Sequence, residues 1–167
     1  MKFASIFFLV CLLVVYMSCK KNSTDNSNNE FNATVSVPGS PDIVINARGS
    51  KYTMFTKYIR PNMDTSYSIV GGDDRNVVEI GLENVHGSGT YHFYLDTISG
   101  NGTYCTYVVG NPLQPSEFYT TGNRDSTGFV TITNLTPKHI EGSITNATCR
   151  SDTAMVEVKS VAFKGDF

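Results

Sequence analysis

From Phe31 onward the chain alternates apolar and polar residues with a period of two, and no stretch shows helical spacing. Phe31, Ala33, Val35 and Val37 alternate with Asn32, Thr34 and Ser36, and Ile43, Ile45 and Ala47 open the next run after Pro38-Gly39-Ser40-Pro41. The same rhythm returns at Val78, Ile80 and Leu82, at Tyr91, Phe93 and Leu95, at Val130 and Ile132, and at Ile140, Gly142 and Ile144. Strands that place every second residue on a core and leave the others in water read this way. In the last run Val156 and Val158 share one parity, whereas Val161, Phe163 and Phe167 share the other. A one-residue phase change inside a strand is what a β-bulge produces, which places one near Lys159-Ser160. Turn clusters recur at Gly71-Gly72-Asp73-Asp74, His86-Gly87-Ser88-Gly89, Ser99-Gly100-Asn101-Gly102 and Thr121-Gly122-Asn123. The expectation is an all-β fold: an antiparallel β-sandwich or partly open barrel of roughly nine to ten strands in a meander.

The N-terminus has a different character. Met1-Lys2 precedes an almost unbroken apolar run from Phe3 to Met17. That run is short of the about 20 residues of a membrane span and fits the core of a secretion signal. Ser18 then stands directly before Cys19, an arrangement that resembles the lipobox of bacterial lipoproteins, although Tyr16 stands where that pattern usually has Leu, Val or Ile. The resemblance implies cleavage after residue 18 and diacylation of Cys19, and Ser18-Cys19-Lys20-Lys21 looks like lipoproteins of the Bacteroidota in particular. Residues 20–30 are Lys, Asn, Ser, Thr, Asp and Glu without one apolar side chain, so burial cannot offset the entropy of ordering them. The expected organisation is a signal peptide at 1–18, a lipidated cysteine and disordered tether at 19–30, and one β domain at 31–167. The expected location is the cell envelope, most simply the outer membrane. A net charge of −2 lacks the basic stripe of a nucleic-acid binder.

A second resemblance covers the domain. Gly128-Phe129-Val130-Thr131-Ile132-Thr133-Asn134-Leu135, then Ile140-Glu141-Gly142-Ser143-Ile144, then Val156 to Phe167, together with Gly89-Thr90-Tyr91, are similar to the strand motifs of a small Bacteroidota lipoprotein family. That family's N-terminal V-N-G-x-x-W element is absent, since the chain has no Trp. Its domain is of unknown function, so the likeness implies a lipid-anchored β domain and no catalytic residue.

Of the four cysteines, Cys11 leaves with the signal and Cys19 takes the lipid, which leaves Cys105 and Cys149. An oxidising envelope permits a bridge between them, and closing a loop of that length would stabilise by about 4 kcal/mol in the chain-entropy picture. Two buried free thiols are the alternative.

No motif in the chain brings catalytic groups together. His86, His92 and His139 form no H-x-H or H-E-x-x-H pattern, and no C-x-x-C is present, so neither a metal nor a cofactor is expected. His92, Tyr94 and Asp96 share a strand parity, yet positions i and i+4 lie about 13 Å apart on a strand and cannot share one ion. Asp73-Asp74-Arg75-Asn76 offers oxygens for calcium but reads more simply as a hairpin tip. Glu79 and Glu83 share a parity, Glu141 stands by itself, and no serine sits in a G-x-S-x-G elbow. The tyrosines, among them Tyr52, Tyr58, Tyr94 and Tyr104, suit a saccharide or protein surface and suit β-strands on propensity alone. Asp96-Thr97-Ile98, Asp125-Ser126-Thr127 and Asp152-Thr153-Ala154 resemble Bacteroidota O-glycosylation sites.

These features point to a lipid-anchored envelope protein that is not an enzyme but a binding or structural accessory module, with the membrane and a glycan or envelope protein as partners and no nucleic acid. The alternative is a lipocalin-like carrier of a small apolar ligand, in which Phe93, Leu95 and Ile132 would line a cavity.

Overall fold

The computed structural model describes residues 28–59, 65–95, 102–111, 114–121 and 128–167. The described residues contain twelve strands and no helix: β1 (Glu30–Ser36), β2 (Ile43–Arg48), β3 (Thr53–Ile59), β4 (Thr65–Gly72), β5 (Asn76–Leu82), β6 (Gly89–His92), β7 (Tyr94–Leu95), β8 (Gly102–Asn111), β9 (Gln114–Thr120), β10 (Phe129–Leu135), β11 (His139–Arg150) and β12 (Met155–Asp166). Nine of them form one hydrogen-bonded path, β2-β1-β12-β11-β9-β8-β5-β4-β3, and every pairing is antiparallel. The path curls until β1 and β2 lie against β4, which makes a nearly closed, barrel-like sheet. The all-β expectation holds. The meander holds within β3-β4-β5, β8-β9 and β10-β11-β12, and breaks where β1 pairs β12, β5 pairs β8 and β9 pairs β11.

Alternation becomes burial wherever the sequence shows it. In β5 Val78, Ile80 and Leu82 point inward and are fully buried, while Glu79 faces outward. The interior is filled by rings resting on glycines. Phe31 lies on Gly71 of β4, where an added Cβ would come within 2.6 Å of the Phe31 Cβ as well as overlapping its ring. Phe163 lies on Gly142 of β11, where a Cβ would also meet the Thr131 carbonyl oxygen at 2.6 Å. Phe55 and Phe163 approach with centroids 6.5 Å apart, and Tyr67 and Phe167 with centroids 5.0 Å apart, so β3 packs on β12 and β4 on the residue that follows it. Gly71 and Gly72, which look like turn residues in the sequence, are therefore strand residues: the missing side chain of Gly71 makes room for the Phe31 ring, and that of Gly72 for the Asn76 carbonyl and Val77.

The bulge expected near Lys159-Ser160 is present. Against β1 the register runs Thr34 to Ser160 and then Val35 to Val158, passing over Lys159. β11 changes phase opposite it, at Asn146, which has a φ of 54°. An asparagine tolerates this left-handed conformation better than most residues. With both strands shifted, Ile140, Gly142 and Ile144 face inward on one side of the bulge, and Ala147 and Cys149 on the other. The bulge also aims Lys159 at Asp42, with Nζ 2.8 Å from the carboxylate.

β11 forks the sheet. Its first half pairs with β10, which in turn pairs with β6. Its last residue, Arg150, pairs with Thr120 of β9, and this is the one ladder pair between β11 and β9 among the described residues. The fold begins slightly before Phe31: Glu30 is in β1, and the buried Asn29 accepts the Asp166 N–H on its side-chain oxygen at 2.9 Å.

Candidate functional site

The outward face of β4, β5 and β8 carries a cluster of polar side chains around Glu79. Register brings Val70, Glu79, Thr106 and Thr120 side by side across four strands, and Ser68, Gly81 and Tyr104 side by side next to them. Gly81 decides the geometry. The Tyr104 ring lies flat on it, so that a Cβ there would overlap the ring, and the phenol is thereby carried across to Glu79. Tyr104 Oη and Ser68 Oγ both donate to Glu79 Oε1, each at 3.2 Å. Thr106 Oγ1 donates to Thr120 Oγ1 at 3.2 Å beside them. Partial burial under the tyrosine raises the Glu79 pKa above its ordinary value, and the two hydroxyl donors oppose that rise. Tyr104 is pushed upward as well, by burial and by the negative carboxylate at its hydroxyl, so it stays a neutral donor. Tyr58, at the edge of the same face, and Phe118 of β9 remain partly exposed.

Such a cluster has an acceptor whose proton affinity is raised, several hydroxyls that both donate and accept, and an aromatic ring held flat. It suits binding of a neutral, hydroxyl-bearing molecule. It offers one carboxylate where acid–base hydrolysis uses two. Glu83, which shares Glu79's parity, is electrostatically felt at Tyr104.

The other candidates lie apart from this face. His139 sits at one end of β11 between two carboxylates, with Nδ1 2.5 Å from Asp166 Oδ1 and Nε2 3.0 Å from Glu141 Oε1. Glu141, isolated in the sequence reading, is thus one arm of a clasp. Burial works against charge on His139, but the hydrogen bonds and charges of Asp166 and Glu141 outweigh it and raise its pKa. The ring at His92 packs edge-on against Phe129 with centroids 6.2 Å apart. Asp73 spends its Oδ1 on the Arg75 and Asn76 amides, both at 2.7 Å, which makes it the organiser of a hairpin tip. No three His, Cys, Asp or Glu side chains gather as a metal site among the described residues.

The tyrosines do not form one surface. Tyr67, Tyr107 and Tyr119 are core residues, and Tyr107, whose hydroxyl donates to Asn76 Oδ1 at 2.7 Å, has its pKa pushed up to about 12 by burial. Tyr58 and Tyr104 share the outer face with Glu79, and Tyr94 is exposed elsewhere. Phe93 and Ile132 are buried as expected of inward residues.

Cys105 of β8 and Cys149 of β11 are both buried, and both are free thiols in this structure. They are neighbours, with Cys149 Sγ donating to the Cys105 carbonyl oxygen at 3.5 Å. Asp152-Thr153-Ala154 forms the β11–β12 turn, closed by the Ser151 N–H donating to the Ala154 carbonyl at 2.9 Å. Cys11, Cys19, Asp96 and Asp125 lie outside the described residues.

The Glu79 cluster was not legible beforehand, because its members are 11 and 25 positions apart. The one available signal was a glycine on a strand's outward parity, which marks a place where a neighbouring ring can lie down. Comparison with known proteins finds no family model, no curated protein and no solved structure that matches this chain. The family likeness therefore rests on its strand motifs alone.

Proposed function

We propose that the chain is a lipid-anchored envelope protein of the Bacteroidota lipoprotein type, moored through Cys19, whose β domain is a binding module for hydroxyl-rich ligands such as glycans. The observation that carries the binding reading is the Glu79 centre. A carboxylate drawn partly out of water on the outside of a sheet adds nothing to core packing and costs desolvation. Its placement under Tyr104 and beside Ser68 makes sense for recognition, where a pre-positioned acceptor and a fixed ring reduce the ordering cost of binding. Tyr58 and Thr120 extend the same surface.

The anchor rests on Ser18-Cys19 and the apolar run before it. Two acyl chains hold a protein to a bilayer at roughly 0.8 kcal/mol per buried methylene. The carrier alternative draws support from the barrel-like closure of the sheet and needs an apolar cavity, whereas the packing of Phe31 and Phe163 on their glycines favours the binding-module reading.

Two measurements test the reading. In cells, Cys19→Ala should lose incorporation of an alkynyl fatty acid and move from the membrane to the soluble fraction; unchanged membrane retention would remove the anchor. On a glycan array, the full chain should bind at least one neutral glycan, and Tyr104→Ala should weaken that binding at least tenfold while Tyr94→Ala leaves it alone. Equal loss in both variants, or no binding by the wild-type chain, would remove the Glu79 face as the site.

A further inference from the structure

The cysteines sit beside the junction of β9 and β11. Among the described residues β9 joins β11 through the pair Thr120 with Arg150, and Cys149 immediately precedes Arg150 on the inward face. On the other side, Cys105 is bound to the end of β9: its N–H donates to Thr121 Oγ1 at 3.1 Å, and its carbonyl accepts the Thr121 N–H at 2.9 Å. β8 and β11 approach one another directly at this point, even though β9 lies between them along the sheet. The two cysteines thus meet across this junction, with Cys149 Sγ 3.5 Å from the Cys105 carbonyl oxygen.

We propose that Cys105 and Cys149 close this junction as an intramolecular disulfide, covalently joining β8 to β11. In the reaction two S–H bonds break and one S–S bond forms. Two protons and two electrons pass to an external disulfide, either that of a thiol oxidoreductase or oxidised glutathione, whose S–S bond breaks and which is released as two thiols. The bond rests on the envelope reading only for its oxidant. Its timing follows from burial. The neighbouring Cys149 thiol and burial hold the Cys105 thiol well above its ordinary pKa, so little thiolate exists in the closed structure. Exchange belongs to the stage before β9 docks on β11, and once formed the bond is shielded from reductant by the same burial. The enclosed stretch spans 44 positions and carries β9 and β10, which ties the forked part of the sheet to the nine-strand path.

The test is a peptide map of the full chain refolded in a buffer of reduced and oxidised glutathione, alkylated in denaturant without reduction. The expected result is a linked pair of peptides containing Cys105 and Cys149, and no alkylation of either. Reductant added before unfolding in urea should then lower the folding equilibrium constant on the order of a thousandfold, as for a loop of this size. Cys149→Ala should fold at the reduced stability and lose its response to reductant. Full alkylation of both thiols after refolding would overturn the proposal, as would a linked pair whose reduction leaves the urea midpoint unchanged. Protein recovered from cells separates the two readings: a bond that forms in glutathione but is absent from the cellular protein counts against the envelope location and not against the pairing.

Discussion

The inner and outer faces of the sheet both seat an aromatic ring on a glycine, but the rings differ in what can yield. Inside, Phe31 meets Gly71 with its Cβ as well as its ring, and Phe163 meets Gly142 beside a backbone carbonyl. No part of that contact can swing aside without moving a strand. Outside, only the ring of Tyr104 rests on Gly81, and water lies beyond it. The inner pairs fix distances between strands; the outer pair fixes one hydroxyl on one carboxylate. Volume governs the first region and protons govern the second.

The sharpest way to break this distinction is to fill the glycines. Gly71→Ala should destabilise by about 3 kcal/mol, because overpacking a closed interior forces strand movement. Gly81→Ala should cost no more than about 1 kcal/mol, since Tyr104 can lift into solvent. Urea unfolding of both variants measures the ratio. Comparable losses would mean that the outer face is as tightly built as the core, and the argument for a recognition surface would weaken.

A subtler effect is expected from Tyr104→Phe, which keeps the ring and removes the donor to Glu79. The hydrogen bond contributes about 1 kcal/mol. Glu79 has a folded pKa raised above its ordinary 4.5, so its contribution to stability is fully present below that value and is lost as pH rises through the folded one. Removing a donor that favours the ionised carboxylate raises the folded pKa further. The variant should therefore be penalised more at pH 7 than at pH 4, whereas an equal penalty at both would show that the phenol acts on Glu79 only as packing.

The same division explains what could be read from the chain alone. Strands with one face on the core announced themselves: β1, β5, β11 and β12 alternate cleanly, and the parity change between Val158 and Val161 located the bulge to the residue. β4 did not, since Ser66 and Tyr67 are both buried and its closing glycines imitate a turn. The strand order was out of reach for a different reason. Phe31 on Gly71 and Glu79 under Tyr104 join distant segments, and period-two patterning says which way a side chain points without saying what it meets. His139 and Glu141 are the instructive exception. Two residues apart on one strand, they share a face, and the clasp between them was open to inspection before Asp166 was known to complete it.

That clasp supplies the smallest expected effect, and it falls on the outer, proton-governed side. His139 has a folded pKa above its ordinary 6.5, so the stability it contributes is complete below that value and disappears as pH rises through the folded one. Asp166 and Glu141 are both about two-fifths exposed, and Lys164, paired across the strands with Glu141, reaches Glu30 at 3.5 Å and spreads the local charge. Solvent screening of this kind limits an ion pair to about 0.5 kcal/mol. His139→Gln should accordingly lower stability by about that amount at pH 5.5 and by nothing measurable at pH 9, and the difference should shrink in 1 M salt. A loss that persisted at pH 9 would assign His139 to packing at the end of the barrel, and the outer face would then obey the same rule of volume as the interior.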